Sequence, residues 1–146
     1  MTLGELDTLV RDLAPPAAGA APTRGFTLPQ ALAHCAQSIE YSLTGYPALR
    51  SRLFRATIGP VVKRRFMRAG RMSHDRAAPV PGAPALSGDL ALEDARARLH
   101  AAIAAFRSHP GTFAPHLAYG ACSREDYAVL HVLHVEDHLR EFSALA

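Results

Sequence analysis

Residues 123–142 place Tyr127, His131, His134 and His138 at i, i+4, i+7 and i+11. On a helix turning about 100° per residue, these four side chains fall within roughly 60° of one another. A stripe of that width is the face a packed helix turns to the core, where Leu is usual. Buried imidazoles are costly unless they are paired. The stripe therefore requires a helix whose inner face meets a polar partner. A bound metal ion is one such partner, and a wet groove lined by histidines is another.

The rest of the composition fits a soluble globular chain. Apolar residues are 49% and charged residues 20% of 146, a length suited to a single domain spanning residues 1–146. No apolar run is long enough to cross a bilayer, and the N-terminus lacks a basic-then-apolar leader pattern. Cys35 and Cys122 form no CxxC pair, which suits a reduced, cytoplasmic protein. The formal charge is +3, and nine of the sixteen cations lie between Arg50 and Arg76, where Asp75 is the sole acid.

Punctuation divides the chain into helices. Thr2-Leu3-Gly4-Glu5 has the form of a capping box and opens a short amphipathic helix through Leu6, Leu9, Val10 and Leu13. Pro15-Pro16 ends it, and residues 15–25 read as a surface linker. Thr27-Leu28-Pro29-Gln30 is a second box. Its helix runs to about Thr44, where Gly45 suits a left-handed cap. Leu28, Leu32, Cys35, Ile39 and Leu43 form the apolar stripe of that helix, and His34, Ser38 and Tyr41 form a polar one. A third helix is predicted over 48–69, with Leu49, Leu53, Ile58, Val62 and Phe66 inward and a kink or break at Gly59-Pro60. Residues 71–87, with Pro79, Pro81 and Pro84, make a long connection. A fourth helix follows from about Leu90 to Arg107, and Ser123 caps the histidine helix.

The expected fold is all-α: a four-helix bundle with a short extra N-terminal helix and a Pro-rich crossover. The long connection of roughly 19 residues reaches about 60 Å when extended, twice the roughly 30 Å of a 20-residue helix. It can run back along the bundle and leave its flanking helices parallel. The other connections are short, so the order is up-down-down-up.

In that arrangement His134 and His138, at i and i+4, can meet one ion from a single face. His34 comes from a helix parallel to theirs and is the natural third ligand, although an ordinary exposed histidine is the alternative. Three protein nitrogens plus water is the pattern of a catalytic zinc site. The imidazoles must be neutral to bind, so affinity should fall with pH.

His34 with the following Cys-Ala-Gln-Ser-Ile-Glu-Tyr, and His134-Val-Glu-Asp-His138-Leu-Arg-Glu-Phe, resemble the DinB-like superfamily of bacterial four-helix bundles. Gly45-Tyr46-Pro47, Met72-Ser73-His74, Pro79 to Pro84 and Pro115 to Gly120 resemble an uncharacterised branch of it. The resemblance covers most of residues 27–142. It implies the up-down-down-up bundle, a metal triad of His34, His134 and His138, a divalent ion such as zinc or nickel, and frequent homodimers. Relatives include thiol-dependent transferases and isomerases acting with a low-molecular-weight thiol, and many members have no known reaction.

Other residues have quieter readings. His131 lies on the ligand stripe but outside the triad, as a residue behind the ligands or lining a groove. Tyr127, Tyr41 and Ser38 could place hydroxyls near the site. Glu40, Glu136 and Asp137 are candidates to orient a ligating imidazole, but their helical angles turn them toward solvent. Cys35 reads as an apolar core residue. His116 could bind substrate or the backbone, and a backbone role is the simpler. His74 reads as a loop-packing residue. The functional expectation is a metal-dependent transferase or hydrolase acting on a small molecule. The alternatives are a non-catalytic dimeric bundle and a module that binds nucleic acid or other anions through segment 50–76. Arg64, Arg68 and Arg71 share a face there, but no stacking aromatics or recognition motif accompany them.

Overall fold

The computed structural model describes residues 1–15 and 25–142. The linker expected over 15–25 lies almost entirely outside the described residues. Among the described residues there are six helices and no strand: α1 (Leu3–Asp12), α2 (Leu28–Thr44), α3 (Arg52–Ala56), α4 (Ile58–Ala69), α5 (Leu92–Ser108) and α6 (Arg124–Arg140). No described helix is long and apolar enough to cross a membrane.

Three helices start on complete capping boxes. The Thr2, Thr27 and Ser123 hydroxyls each accept from the amide three residues on, and Glu5, Gln30 and Asp126 reach back to the cap amides. These boxes fix where α2 and α6 begin, and so fix the axial positions of their histidines.

α2, α5 and α6 pack together as a helical bundle, with α1 against α5 and α6. The core joins Leu6 and Val10 of α1, Leu32, Cys35 and Ile39 of α2, Leu99, Ile103 and Phe106 of α5, and Tyr127, Val135 and Leu139 of α6. The N-terminal helix is thus an integral part of the core.

The predicted third helix differs from expectation. It breaks at Thr57, which separates α3 from α4. Its forecast core residues Leu49, Leu53 and Ile58 are 47%, 74% and 54% exposed. Apart from Gly59, α4 reaches inward at its far end, where the partly buried Phe66 and Met67 pack on Met72, Leu130 and Leu133. The cause is visible at Gly59, the one buried residue of α4. A Cβ there would lie 2.0 Å from the Ala118 carbonyl oxygen. The loop before α6 occupies the space beside α4. Gly120 in that loop has φ +77°, and a Cβ on it would meet the Arg55 carbonyl oxygen at 2.7 Å. Two glycines therefore let the segments touch backbone to backbone. Gly59→Ala should cost about 3 kcal/mol in urea unfolding, because backbone must move to relieve the clash. An unchanged midpoint would show that the loop is not seated there.

Candidate metal centre and adjoining cavity

The histidine stripe of α6 divides in two. His134 and His138, near the C-terminal end, join His34 of α2 and His74 of the 70–91 connection. One ligating atom from each of the four lies within 4.8 Å of the others. Ring centroids of the pairs 34–134, 34–138, 74–134, 74–138 and 134–138 are 4.9–5.1 Å apart. His34 and His138 are buried, and His74 and His134 are half-buried. Phe26, just ahead of α2, lies against the His34 ring at 5.0 Å.

The donor set fits a divalent ion. His74 Nε2 and His138 Nε2 are 3.2 Å apart, close to the roughly 3.3 Å edge of a tetrahedron with bonds near 2.0 Å. His34 Nδ1 is buried without a hydrogen-bond partner, a costly state for an imidazole in a protein interior. Imidazole suits zinc, copper, iron and nickel. Electrostatics favour the ligating form. Burial, reinforced by the neighbouring imidazoles, holds His34 at about 4 and His138 at about 3. The same causes push His134 well below its ordinary value. Burial lowers His74 too, against the opposing pull of Asp137. All four rings are neutral at pH 7.

Sequence reading missed two members of this arrangement. The sequence reads His74 as a loop-packing residue, yet its ring stands as the fourth of the cluster. It sits in an aperiodic segment where spacing carries no directional information. Only its place in Met72-Ser73-His74, part of the family-like pattern, hinted at a role. Asp137 was expected to face solvent but is 2% exposed. Its Oδ2 lies 2.9 Å from His74 Nδ1, at ion-pair distance though not aligned as a hydrogen bond. Arg76 and Arg140 approach Oδ1 at 3.6 and 3.5 Å. The connection carrying His74 and Arg76 covers the face of α6 that was assigned to water. A carboxylate beside Nδ1 keeps the ring proton there and leaves Nε2 free to ligate. Glu40 and Glu136 pair instead with Arg98 at 2.7 Å and Arg140 at 3.8 Å. Asp137→Asn should weaken zinc binding roughly 10- to 100-fold while leaving a folded chain, as read by competition with a chromophoric chelator.

The N-terminal half of the stripe is a separate network. His131 is buried, with Nε2 3.1 Å from Ser42 Oγ. The Ser42 hydroxyl donates to the Ile39 carbonyl at 2.6 Å, so it accepts from His131 Nε2–H. Tyr127 stacks on His131 at 5.2 Å and donates its hydroxyl to the Ala114 carbonyl at 2.6 Å. Burial raises the Tyr127 pKa and holds His131 at about 3. Cys35 is buried, and its thiol pKa is raised by burial.

A cavity of about 330 Å³ connects the two networks. His34, His74 and His134 line one part of it, and His116, His131, Tyr127 and Ser38 line others. Tyr41 is not among its lining residues and packs beside Tyr46 at 5.9 Å. His100 and His109 are elsewhere, against Asp7 at 2.7 Å and the Thr112 carbonyl at 3.1 Å.

Residues 2–144 match the family model described as a protein of unknown function, DUF1569. The chain belongs to the DUF1569 family. No curated protein and no solved structure gives a significant match to this DUF1569 chain.

Proposed function

We propose that this DUF1569 protein is a divalent-metal protein of the DinB-like kind, in which His34, His134, His138 and His74 hold the ion. Zinc or nickel fits best. The supporting observation is the convergence of four neutral imidazoles from α2, α6 and the 70–91 connection within 4.8 Å. The up-down-down-up order belongs to the same reading, since a parallel α2 and α6 would set His34 level with the α6 pair.

A bound divalent ion supplies Lewis-acid polarisation and lowers the pKa of a coordinated group. The protein's own part is to keep the imidazoles unprotonated, to orient His74 through Asp137, and to shelter a cavity beside the ligands. The reading extends to a metal-dependent transferase or hydrolase acting on a small molecule, with a low-molecular-weight thiol as one candidate substrate. Four nitrogens would fill a tetrahedral zinc shell, as in structural sites, which favours a non-catalytic centre. The cavity favours chemistry, because structural sites are closed, and zinc can expand to five ligands. Homodimer formation and a cytoplasmic setting complete the proposal. The exposed Leu53, Ile58 and Val61 provide apolar surface that a second copy would cover.

Elemental analysis of protein purified without an affinity tag tests the metal. One equivalent per chain, removed by chelation and restored by titration, is the expected result. Sub-stoichiometric metal that titration cannot restore contradicts it.

A further inference from the structure

His116 is held in a single tautomer by its own loop. Its Nδ1 accepts from the amides of Ala118 at 3.1 Å and Tyr119 at 3.2 Å. The chain closes around it through the paired backbone bonds of His116 and Gly120, at 2.8 and 3.3 Å. Tyr119 stacks on the ring at 4.1 Å with a 6° interplanar angle. A neutral ring whose Nδ1 accepts carries its proton on Nε2. That N–H has no protein acceptor among the described residues and is not sealed from solvent, and the ring lines the cavity beside the four histidines. Burial, with the charge of Lys63 nearby, keeps the ring uncharged down to about pH 3.

The remaining cavity chemistry points to an anionic ligand. Arg50 lines the cavity with its guanidinium 4.2 Å over the Phe54 ring, and it makes no ion pair among the described residues. Asp75 is the one acid of the lining, and its Oδ1 already accepts from the Ala77 amide at 3.0 Å. The Tyr127 hydroxyl proton is engaged by Ala114. His116 Nε2–H and the Arg50 guanidinium are donors of the lining that no side-chain acceptor engages among the described residues, and an anionic ligand oxygen suits both. Met72, Val80, Leu117 and Leu130 supply an apolar wall. A cavity of 330 Å³ holds about ten non-hydrogen atoms at roughly the volume of one water each.

We propose that His116 is the recognition donor of this cavity, its fixed Nε2–H binding an oxygen of a small carboxylate whose apolar body lies on the Met72–Leu130 wall, with Arg50 completing the anion site. This names the ligand class of the cavity and rests on the preceding reading only in taking that cavity as the substrate site. Neutral imidazole donates to an anionic oxygen without becoming a general acid.

Benzoate is the probe, with benzyl alcohol as its uncharged counterpart. Zinc uptake is measured separately on every variant, so failure of the metal reading and failure of this one are distinguishable. Long-range proton–nitrogen correlation spectra should show His116 as the Nε2–H tautomer from about pH 5 to 8, with that resonance moving as benzoate is added. His116→Ala should weaken benzoate roughly 10- to 100-fold, the range for losing a hydrogen bond to a charged group. His116→Gln, which keeps a donor, should recover most of the affinity, and Arg50→Ala should flatten its salt dependence. An Nδ1–H tautomer, benzyl alcohol binding as tightly as benzoate, no benzoate binding, or unchanged affinity in His116→Ala would each overturn the proposal.

Discussion

His74→Ala should lower zinc affinity by more than a hundredfold and leave the helices intact. Loss of an outer carboxylate partner alone costs roughly 10- to 100-fold, and this substitution removes both a donor and the reason for that carboxylate's position. His74 Nε2 is 3.2 Å from His138 Nε2, so the ring faces the α6 histidine pair directly. It comes from a connection and not from a helix, and its removal leaves the core of α2, α5 and α6 untouched. Circular dichroism should therefore match the parent while metal retention collapses. A triad of His34, His134 and His138 alone would predict a change of only a fewfold. The double substitution His134→Ala, His138→Ala should abolish stoichiometric binding under either arrangement and sets the baseline.

Metal-free protein should lose stability steeply as pH falls from about 6.5 toward 4. His34 is held at about 4, and His116, His131 and His138 at about 3, whereas an unfolded histidine titrates near 6.5. In that window the unfolded chain binds protons that the folded chain refuses, so stability drops with falling pH and levels off below the folded values. Each such group adds a slope of up to about 1.4 kcal/mol per pH unit. Several together are comparable with a total stability of about 5–15 kcal/mol, and unfolding near pH 5 follows. Bound metal should shift the loss to lower pH, because protons must then displace the ion. Urea midpoints at pH 7.5, 6.0 and 5.0, with and without one equivalent of zinc, check both parts. A flat profile for the metal-free chain would mean that these imidazoles are not buried as described.

The sequence was informative wherever helical period and capping chemistry acted together. The boxes at Thr2, Thr27 and Ser123 and the α6 stripe depend only on neighbours within a few residues, so the residues that form them could be read directly. The convergence of His34 with His134 and His138 followed from connection length and the family resemblance. Three features were not legible. The break at Thr57 and the exposure of Leu53 depend on the loop that docks its Ala118 carbonyl on Gly59, a contact between distant segments. His74 lies in a segment without periodicity, so its direction is set by tertiary packing alone. Asp137 is buried because that same segment crosses α6, and an angle measured from the histidine stripe cannot register a second covering layer. His116 owes its fixed tautomer to two amides of its own turn, a local feature that becomes meaningful only beside the cavity.

X-ray absorption on tag-free protein loaded with one equivalent of zinc tests the central claim most directly. The account predicts four nitrogen scatterers near 2.0–2.1 Å, with the outer-shell pattern of four imidazoles, reduced to three in His74→Ala. A spectrum containing sulfur, or fewer than four imidazoles in the parent protein, would contradict it.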